Sequence, residues 1–307
     1  DEPGRQHGDA PPGMVRGGRS SLGRRDGGPM TRVPLRPGFA LNVDVAGSGP
    51  PIVLLHGFTG SSRGWGEFGR ILQQQFTTVA PDIVGHGQSD SPGDLDQYRM
   101  PQVVDDLVEA VRLAGWPRAT WLGYSMGGRT ALHVAAAHPE AVERLVIVGG
   151  SPGLATPEER AARVSADEAL ASRIETEGVP AFVDYWENIP LFASQRRLPA
   201  GQRAAIRAGR LACDPVGLAN SLRGMGTGAQ EPLFSRLGEL RLPVLLVAGA
   251  EDEKFSAIAR DMAKAIPSAA VEIVPNAGHA AHIDQPEACA RPVLAFLSQL
   301  RPEGALK

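Results

Sequence analysis

Cysteine, unbalanced charge and long apolar runs are all scarce in this sequence, and each scarcity argues against a class of protein. Only two cysteines, Cys213 and Cys289, occur among the 307 residues, in neither a Cys-x-x-Cys pair nor a metal-ligand spacing. A disulfide framework and a metal site are therefore not indicated, and both cysteines are predicted to be structural. The formal net charge is −3, so no nucleic-acid partner is indicated and a small soluble substrate is expected.

No apolar run approaches the roughly 20 residues that span a bilayer. The first residues also lack the hydrophobic core of a signal peptide, so the sequence predicts a cytoplasmic protein without membrane association. Residues 1–31 are rich in Gly, Pro, Arg and Asp and hold almost no large apolar side chain. Such a segment cannot offset the entropy of ordering, which predicts a disordered tail, with Met30 as a candidate start of the folded protein.

The remaining chain alternates between short apolar runs and segments with helical periodicity. Strands are predicted at residues 39–45, 51–55, 77–80, 119–122, 145–148, 244–248 and 270–274, and helices at residues 65–74, 100–113, 128–137, 256–265 and 286–300. Continuous apolar runs are typical of strands buried on both faces. The alternation predicts an α/β fold with a mostly parallel sheet, helices on both faces, and chemistry at the carboxyl ends of the strands.

One long segment breaks this alternation. Residues 151–240 are rich in Arg, Ala and Glu, show helical periodicity and contain no convincing buried strand. The sequence therefore predicts a helical cap at residues 151–240, inserted into a core that comprises residues 32–150 and 241–307.

The segment Gly123-Tyr124-Ser125-Met126-Gly127 matches the Gly-x-Ser-x-Gly nucleophile elbow. A serine at a sharp turn between a strand and a helix leaves no space for side chains two positions away, which favours glycine there. A plain glycine-rich turn would share the pattern. The apolar run before it and the helical pattern after it favour the elbow, with Ser125 exposed at a helix N-terminus.

A serine hydroxyl needs a histidine to take its proton and a carboxylate to orient that histidine. His279 follows the last predicted strand, and Asp252 follows the strand at residues 244–248. The order Ser125, Asp252, His279 is the order of α/β-hydrolases. The alternatives are His282 for the histidine, expected at a helix start or packed beside the site, and Glu251 or Asp261 for the carboxylate.

An oxyanion would need two N–H donors, one from the residue after the serine and one from the loop after an early strand. These positions correspond to Met126 and Phe58, the latter in the turn His56-Gly57-Phe58. His86 is interpreted as structural support for this neighbourhood.

From about Val33 onward the chain resembles the α/β-hydrolase superfamily. Within it, the chain resembles the 2-succinyl-6-hydroxy-2,4-cyclohexadiene-1-carboxylate synthases of menaquinone biosynthesis. The segments that carry this finer resemblance are residues 123–129, 149–154, 190–195 with Trp186, and 221–230 with Gly226-Thr227-Gly228. The resemblance implies a lyase that eliminates pyruvate from a cyclohexene carboxylate bearing an enolpyruvyl ether and a succinyl group, with no metal or organic cofactor.

A substrate with three carboxylates calls for arginine, whose fixed fork binds carboxylates in a bidentate manner. Arg129 lies one helical turn beyond Ser125 and can point back toward the same mouth. The resemblance further implies two arginines from the helical segment, best matched by Arg163 and Arg210, with Arg160 and Arg207 as their neighbours. Tyr124 and Trp186 are expected to line the pocket, although both also suit plain packing.

The resemblance implies that Ser125, activated by His279 and Asp252, removes a ring proton instead of attacking an acyl group. The nearest rival function is a carboxylesterase or C–C bond hydrolase of the same fold. A rival of another class is a ligand-binding receptor that keeps the triad for recognition. The expected partner is thus a small anionic molecule, and the sequence leaves the oligomeric state open.

Overall fold

The computed structural model describes residues 31–298, whose strands form one eight-stranded sheet. The strands are β1 (Thr31–Arg36), β2 (Phe39–Gly47), β3 (Pro51–Leu55), β4 (Thr77–Pro81), β5 (Ala119–Tyr124), β6 (Val142–Val148), β7 (Val244–Gly249) and β8 (Ala269–Val274). Their order across the sheet is β1-β2-β4-β3-β5-β6-β7-β8. Only β2 pairs antiparallel with its neighbours, β1 and β4, and all other described pairs are parallel. The predicted fold class is confirmed.

Strand β3 shows why helices must cover both faces of the sheet. Successive side chains of a strand point to opposite faces. Ile52 and Leu54 belong to one apolar cluster, whereas Val53 and Leu55 belong to another, and all four are buried. The sheet therefore needs an apolar layer on each side.

Amphipathic helices supply these two layers. The helices are α1 (Gly66–Gln73), α2 (Met100–Leu113), α3 (Met126–Ala137), α4 (Pro157–Trp186), α5 (Ala200–Leu211), α6 (Pro215–Met225), α7 (Glu253–Ala265), α8 (Ala281–Asp284) and α9 (Pro286–Ser298). Helices α2, α3 and α7 contribute buried residues to the cluster that holds Val53, and α1, α8 and α9 contribute to the cluster that holds Ile52. In α2, for example, Val103, Leu107 and Val111 recur at helical spacing and are all buried.

Between β6 and β7 the chain forms helices α4, α5 and α6 and two 3-10 segments, Pro190–Arg197 and Phe234–Glu239. Helix α4 begins with a capping box in which Thr156 and Glu159 bond each other's backbone N–H groups. It breaks at Gly178, whose φ of 83° lies in the left-handed region. Helix α4 packs on α6 through a third apolar cluster that includes Ile174, Phe182 and Leu218. The division into a separate cap at residues 151–240 stays a prediction.

Strand β1 was not predicted. Thr31, assigned to the disordered tail, is the first residue of β1 and pairs with Val43 of β2. The sequence signal is weak because β1 lies at the sheet edge and Val33 is its one fully buried residue. The rest of the predicted tail, residues 1–30, lies outside the described residues.

Other predicted boundaries shift by a few residues. Strand β6 begins at Val142 instead of residue 145, and α7 begins at Glu253 because Asp252 caps it. The helix predicted at residues 65–74 is a 3-10 segment, Ser62–Trp65, followed by α1. Among residues 31–298, no helix has both the length and the apolar character needed to cross a membrane.

Candidate active site

Ser125 lies at the sharp turn between β5 and α3. Its backbone takes φ 52° and ψ −109°, a region that non-glycine residues rarely adopt. A Cβ on Gly123 would overlap the carbonyl oxygen of Gly127, and a Cβ on Gly127 would overlap that of Leu55. Both glycines are therefore required by close backbone packing, as the elbow pattern predicts.

Ser125, His279 and Asp252 form a continuous hydrogen-bonded relay. The Ser125 Oγ lies 2.9 Å from His279 Nε2, and His279 Nδ1 lies 2.7 Å from Asp252 Oδ2. The ring is buried, with 2% of its surface exposed. With the carboxylate accepting from Nδ1–H, Nε2 is left to accept the serine proton, which is the arrangement that activates a serine hydroxyl.

The packing of β7 explains how Asp252 reaches His279. A Cβ on Gly249, the last residue of β7, would overlap the Gly278 carbonyl oxygen, so the two loops touch backbone to backbone. Asp252 also caps helix α7, because its Oδ1 accepts from the Phe255 N–H at 3.2 Å. One carboxylate thus serves the helix and the histidine with different oxygens.

The alternative residues are engaged elsewhere. Glu251 pairs with Arg197 at 2.8 Å, and Asp261 pairs with Lys264 at 2.7 Å on the surface. His282 lies in α8 with its ring 4.4 Å from that of Tyr124, and burial lowers its pKa to about 3. The structure brings none of these three into the relay.

The loop that carries Phe58 lies against the serine. A Cβ on Gly57 would lie 2.8 Å from the Tyr124 ring and 3.5 Å from the Ser125 Cβ. Met126 opens α3, and the N–H groups of a first helical turn have no acceptor within the helix. These contacts place the Phe58 loop and the start of α3 next to Ser125, and the assignment of the Phe58 and Met126 N–H groups as oxyanion donors stays a prediction.

Two buried histidines fix the shape of this loop. His56 Nε2 accepts from the Ile83 N–H at 3.0 Å, so its Nδ1–H donates to the Gly57 carbonyl at 2.8 Å. The His86 ring lies 5.1 Å from that of His56 and 5.8 Å from that of Phe58. Burial lowers the pKa of His56 and lowers that of His86 to about 3, so both rings are neutral supports.

An inner cleft of about 210 Å³ opens next to Tyr124, the residue that precedes Ser125, and the three relay residues are not part of its lining. Its wall includes Phe58, Tyr124, Phe192, Gln195 and Arg210. Arg210 is buried, its Nη2 donates to Gln195 Oε1 at 3.1 Å, and its guanidinium lies 4.7 Å from the centre of the Phe192 ring. Burial lowers the pKa of this guanidinium, and within residues 31–298 it forms no ion pair.

Trp186, at the end of α4, packs over the Phe58 side chain. Their ring centres lie 5.5 Å apart in an edge-to-face arrangement, and the Phe192 ring lies 5.7 Å from Trp186 on another side. Trp186 therefore contacts the loop next to the serine, but it is not among the residues that line the inner cleft.

Arg129 and Arg163 lie in a separate cluster, away from the wall of the inner cleft. Arg129 was expected to point toward the mouth, yet its Nη1 donates to the Met225 carbonyl at 2.9 Å and also to Gln230 Oε1. Both acceptors lie at or just beyond the end of helix α6, so the guanidinium is directed toward residues 225–230. Arg163 Nε donates to Asp167 Oδ1 at 2.8 Å, and burial together with Arg163 lowers the pKa of Arg129 to about 10.

The two arginines left as alternatives are bound to other groups. Arg160 donates to the carbonyls of Leu154 and Ala155 at the start of α4. Arg207 forms ion pairs with Asp184 and Glu187 at 2.5 and 2.6 Å. The ion pairs of Arg207 favour Arg210 as a residue that can receive a ligand carboxylate, whereas Arg163 is itself paired with Asp167, so the choice between Arg160 and Arg163 stays open.

Sequence reasoning missed several neighbours of the site. Gln195, Phe192 and Trp65 line the inner cleft, and Asp167 and Gln230 hold the two arginines of the separate cluster. Trp65 is placed by its contact with the His282 ring, and Gln195 by its hydrogen bond with Arg210, and no local pattern indicates such contacts between residues distant in sequence. Gln195 and Phe192 do fall within the stretch 190–195 that carries the family resemblance.

Known proteins are similar to this chain in sequence and in fold. A family model described as alpha/beta hydrolase fold matches residues 50–286. A protein of Bacillus subtilis (strain 168), named provisionally as a 2-succinyl-6-hydroxy-2,4-cyclohexadiene-1-carboxylate synthase, is 44% identical over 83% of this chain and 94% of its own length. The synthase of that name from Enterobacter sp. (strain 638) is 32% identical over 82% of this chain and 93% of its own.

Solved structures agree with these relatives. MenH from S. aureus superposes with a TM-score of 0.79 at 31% identity, covering 83% of this chain and 97% of that chain. An enol-lactonase from Burkholderia xenovorans LB400 has a TM-score of 0.74 at 25% identity, covering 85% of this chain and 98% of its own. The chain belongs to the 2-succinyl-6-hydroxy-2,4-cyclohexadiene-1-carboxylate synthase family of the alpha/beta hydrolase fold.

Proposed function

We propose that this protein is a carbon–oxygen lyase of menaquinone biosynthesis. It eliminates pyruvate from 2-succinyl-5-enolpyruvyl-6-hydroxy-3-cyclohexene-1-carboxylate and forms 2-succinyl-6-hydroxy-2,4-cyclohexadiene-1-carboxylate. The observation that supports this function most is the buried Arg210, which lines the same cleft as Tyr124 and has no carboxylate partner among residues 31–298. A buried unpaired cation is costly, and an anionic ligand offsets that cost. An ester hydrolase with an apolar acyl group has no use for it.

The three substrate carboxylates have three candidate partners. Arg210 receives one in the inner cleft, where the Tyr124 side chain shares the wall. Arg129 and Arg163 receive the others once the substrate displaces Gln230 Oε1 from Arg129 and Asp167 from Arg163. Bidentate hydrogen bonds from guanidinium to carboxylate are among the strongest in proteins. Tyr124 supplies aromatic surface in the cleft wall, and Trp186 supplies it against the Phe58 ring.

The triad supplies a base for the elimination. Ser125 Oγ removes the proton at ring carbon 2, which is adjacent to the succinyl ketone, while its own proton passes to His279 Nε2. The electron pair of the carbon 2–hydrogen bond forms a double bond between ring carbons 2 and 3. The existing double bond between carbons 3 and 4 then moves to carbons 4 and 5, and the bond between carbon 5 and the ether oxygen breaks. Pyruvate leaves as its enolate and takes up the proton carried by His279, so atoms and charge balance.

Charge that develops on the succinyl ketone oxygen needs donors beside the serine. The backbone N–H groups of Phe58 and Met126 take this role, and Asp252 stabilises the imidazolium form of His279 at 2.7 Å. The fixed His56 and His86 rings keep the Phe58 loop in place, so the donors need little reorganisation during the reaction.

Residues 151–240 act in this proposal as a cap that completes the substrate site. Arg210, Phe192, Gln195 and Trp186 all come from this segment, while the triad comes from the core. The expected partner is the small anionic substrate alone, in a reducing cytoplasm that suits the two free cysteines.

Supplying the enolpyruvyl cyclohexene substrate and following pyruvate with a coupled assay tests the proposed function. We expect multiple turnovers of pyruvate release and no burst from a chromogenic ester. Ester hydrolysis with a burst, and no pyruvate, would identify an acyl-transferring hydrolase instead. Tight substrate binding without turnover would identify a receptor.

A further inference from the structure

A second cavity, of about 300 Å³, opens between the segment Pro190–Arg197 and helix α5. We call it the arginine vestibule. Its lining includes one acidic residue, Glu187, and four arginines, namely Arg196, Arg203, Arg207 and Arg210. The vestibule thus carries a strong excess of positive charge on a protein whose formal net charge is −3.

The vestibule adjoins the inner cleft directly. Four residues line both cavities, namely Phe192, Gln195, Ile206 and Arg210. The Arg210 guanidinium is held in this shared wall by its hydrogen bond to Gln195 and its contact with the Phe192 ring. A carboxylate bound in the vestibule can therefore reach, at Arg210, the same cation that lines the inner cleft.

Only part of the vestibule's charge is neutralised by the protein itself. Arg207 is paired with Asp184 and Glu187. Arg196 and Arg203 are exposed, and in the part of the chain that the structure describes their guanidinium groups have no ion-pair or hydrogen-bond partner. Among the described residues, two cations without a partner thus line the vestibule, and the buried Arg210 lies in the wall that the vestibule shares with the inner cleft.

We propose that the arginine vestibule is a capture site for polycarboxylate anions, which collects the substrate and passes it to the inner cleft at Arg210. A concave surface lined by one sign of charge raises the local concentration and the association rate of an oppositely charged ligand by about 10-fold to 1,000-fold. Arg196 and Arg203 provide the long-range attraction. The inference rests on the proposed function for the identity of the anion.

The double variant Arg196→Gln/Arg203→Gln tests this role against a matched control, Arg241→Gln/Arg260→Gln. The control removes the same charge from two arginines that are also exposed and line neither cavity. kcat/KM for pyruvate release is measured at ionic strengths of about 10 and 150 mM, where the Debye length is about 30 and 8 Å.

We expect the vestibule variant to lose about threefold to tenfold in kcat/KM at the lower ionic strength, with kcat changed less than about twofold. Its dependence on salt should be shallower than that of the wild type, and the control should follow the wild type. Equal losses and equal salt slopes in the two double variants would overturn the proposal. A fall in kcat as large as the fall in kcat/KM would also overturn it, because that result indicates a role in turnover or product release.

Calorimetric titration with citrate separates this proposal from the proposed function, because it needs no turnover. Weaker citrate binding in the vestibule variant than in the control, with no pyruvate release by the wild type, would keep the vestibule and reject the lyase. Pyruvate release by the wild type, with citrate binding and kcat/KM the same in both double variants, would reject the vestibule alone.

Discussion

Asp252 serves two structures at the same time. Its Oδ1 caps helix α7 and its Oδ2 accepts from His279. Helix caps tolerate Asp and Asn about equally, because either side-chain oxygen accepts a backbone N–H. The relay is stricter, because only a carboxylate both orients the ring and stabilises its charged form. The two roles can therefore be separated by substitution.

We predict that Asp252→Asn lowers the rate of pyruvate release about a thousandfold or more while the free energy of unfolding changes by less than about 0.5 kcal/mol. Asp252→Ala should lose the same activity and about 1 kcal/mol of stability besides, because it also removes the cap. Urea unfolding and the coupled assay measure the two effects. An Asn variant as unstable as the Ala variant would contradict the shared role.

At the scale of elements, the elbow between β5 and α3 depends on glycine for space. We predict that Gly127→Ala destabilises the protein by about 3 kcal/mol or more, because its Cβ would overlap the Leu55 carbonyl of the neighbouring strand β3. The matched control is Gly201→Ala in helix α5, where no atom lies within 4 Å of the added Cβ. The control should gain up to about 1 kcal/mol. Equal urea midpoints for the two variants would contradict this requirement for glycine at position 127.

An element can be predicted from the sequence when a short run of neighbouring residues determines it. Strands such as β3 and β7 are continuous apolar runs, and the elbow is a five-residue pattern, so both could be predicted from the sequence. The order of Ser125, Asp252 and His279 also lies in the sequence, because a parallel sheet brings the carboxyl ends of its strands together.

Other features depend on distant contacts that no local pattern carries. Arg129 was expected at the mouth, but its partners Met225 and Gln230 lie about 100 residues further on. Strand β1 has too few apolar residues to be recognised and is defined by its pairing with β2. The choice between Arg207 and Arg210 likewise required the ion pairs of Arg207 with Asp184 and Glu187.

At the scale of the whole molecule, buried histidines couple stability to pH. Burial lowers the pKa of His86 and His282 to about 3 and that of His133 to about 4. In the unfolded chain each imidazole takes up a proton near pH 6.5. Between these values the unfolded state binds more protons than the folded state, so the free energy of unfolding falls as the pH falls.

We predict that stability declines steadily from about pH 6.5 to pH 4, with up to about 1.4 kcal/mol per pH unit from each of these histidines. The substitution His86→Gln removes one of these titrating groups. It should therefore reduce the slope of the free energy of unfolding against pH by the contribution of one histidine, even if the variant is less stable at every pH. Urea unfolding at pH 7.5, 6 and 5 gives both slopes. Parallel slopes for the variant and the wild type would contradict the buried neutral state of His86.

In the proposed function, the Ser125 relay drives elimination of pyruvate from an anionic substrate. The most direct test is the initial rate of pyruvate release from the enolpyruvyl cyclohexene substrate, measured for the wild type and for Ser125→Ala at equal protein concentration. We predict turnover by the wild type and a loss of at least about a thousandfold in the variant, because it lacks the hydroxyl that takes the ring proton and passes its own to His279. Equal rates in the two proteins, or no pyruvate from the wild type, would contradict the claim.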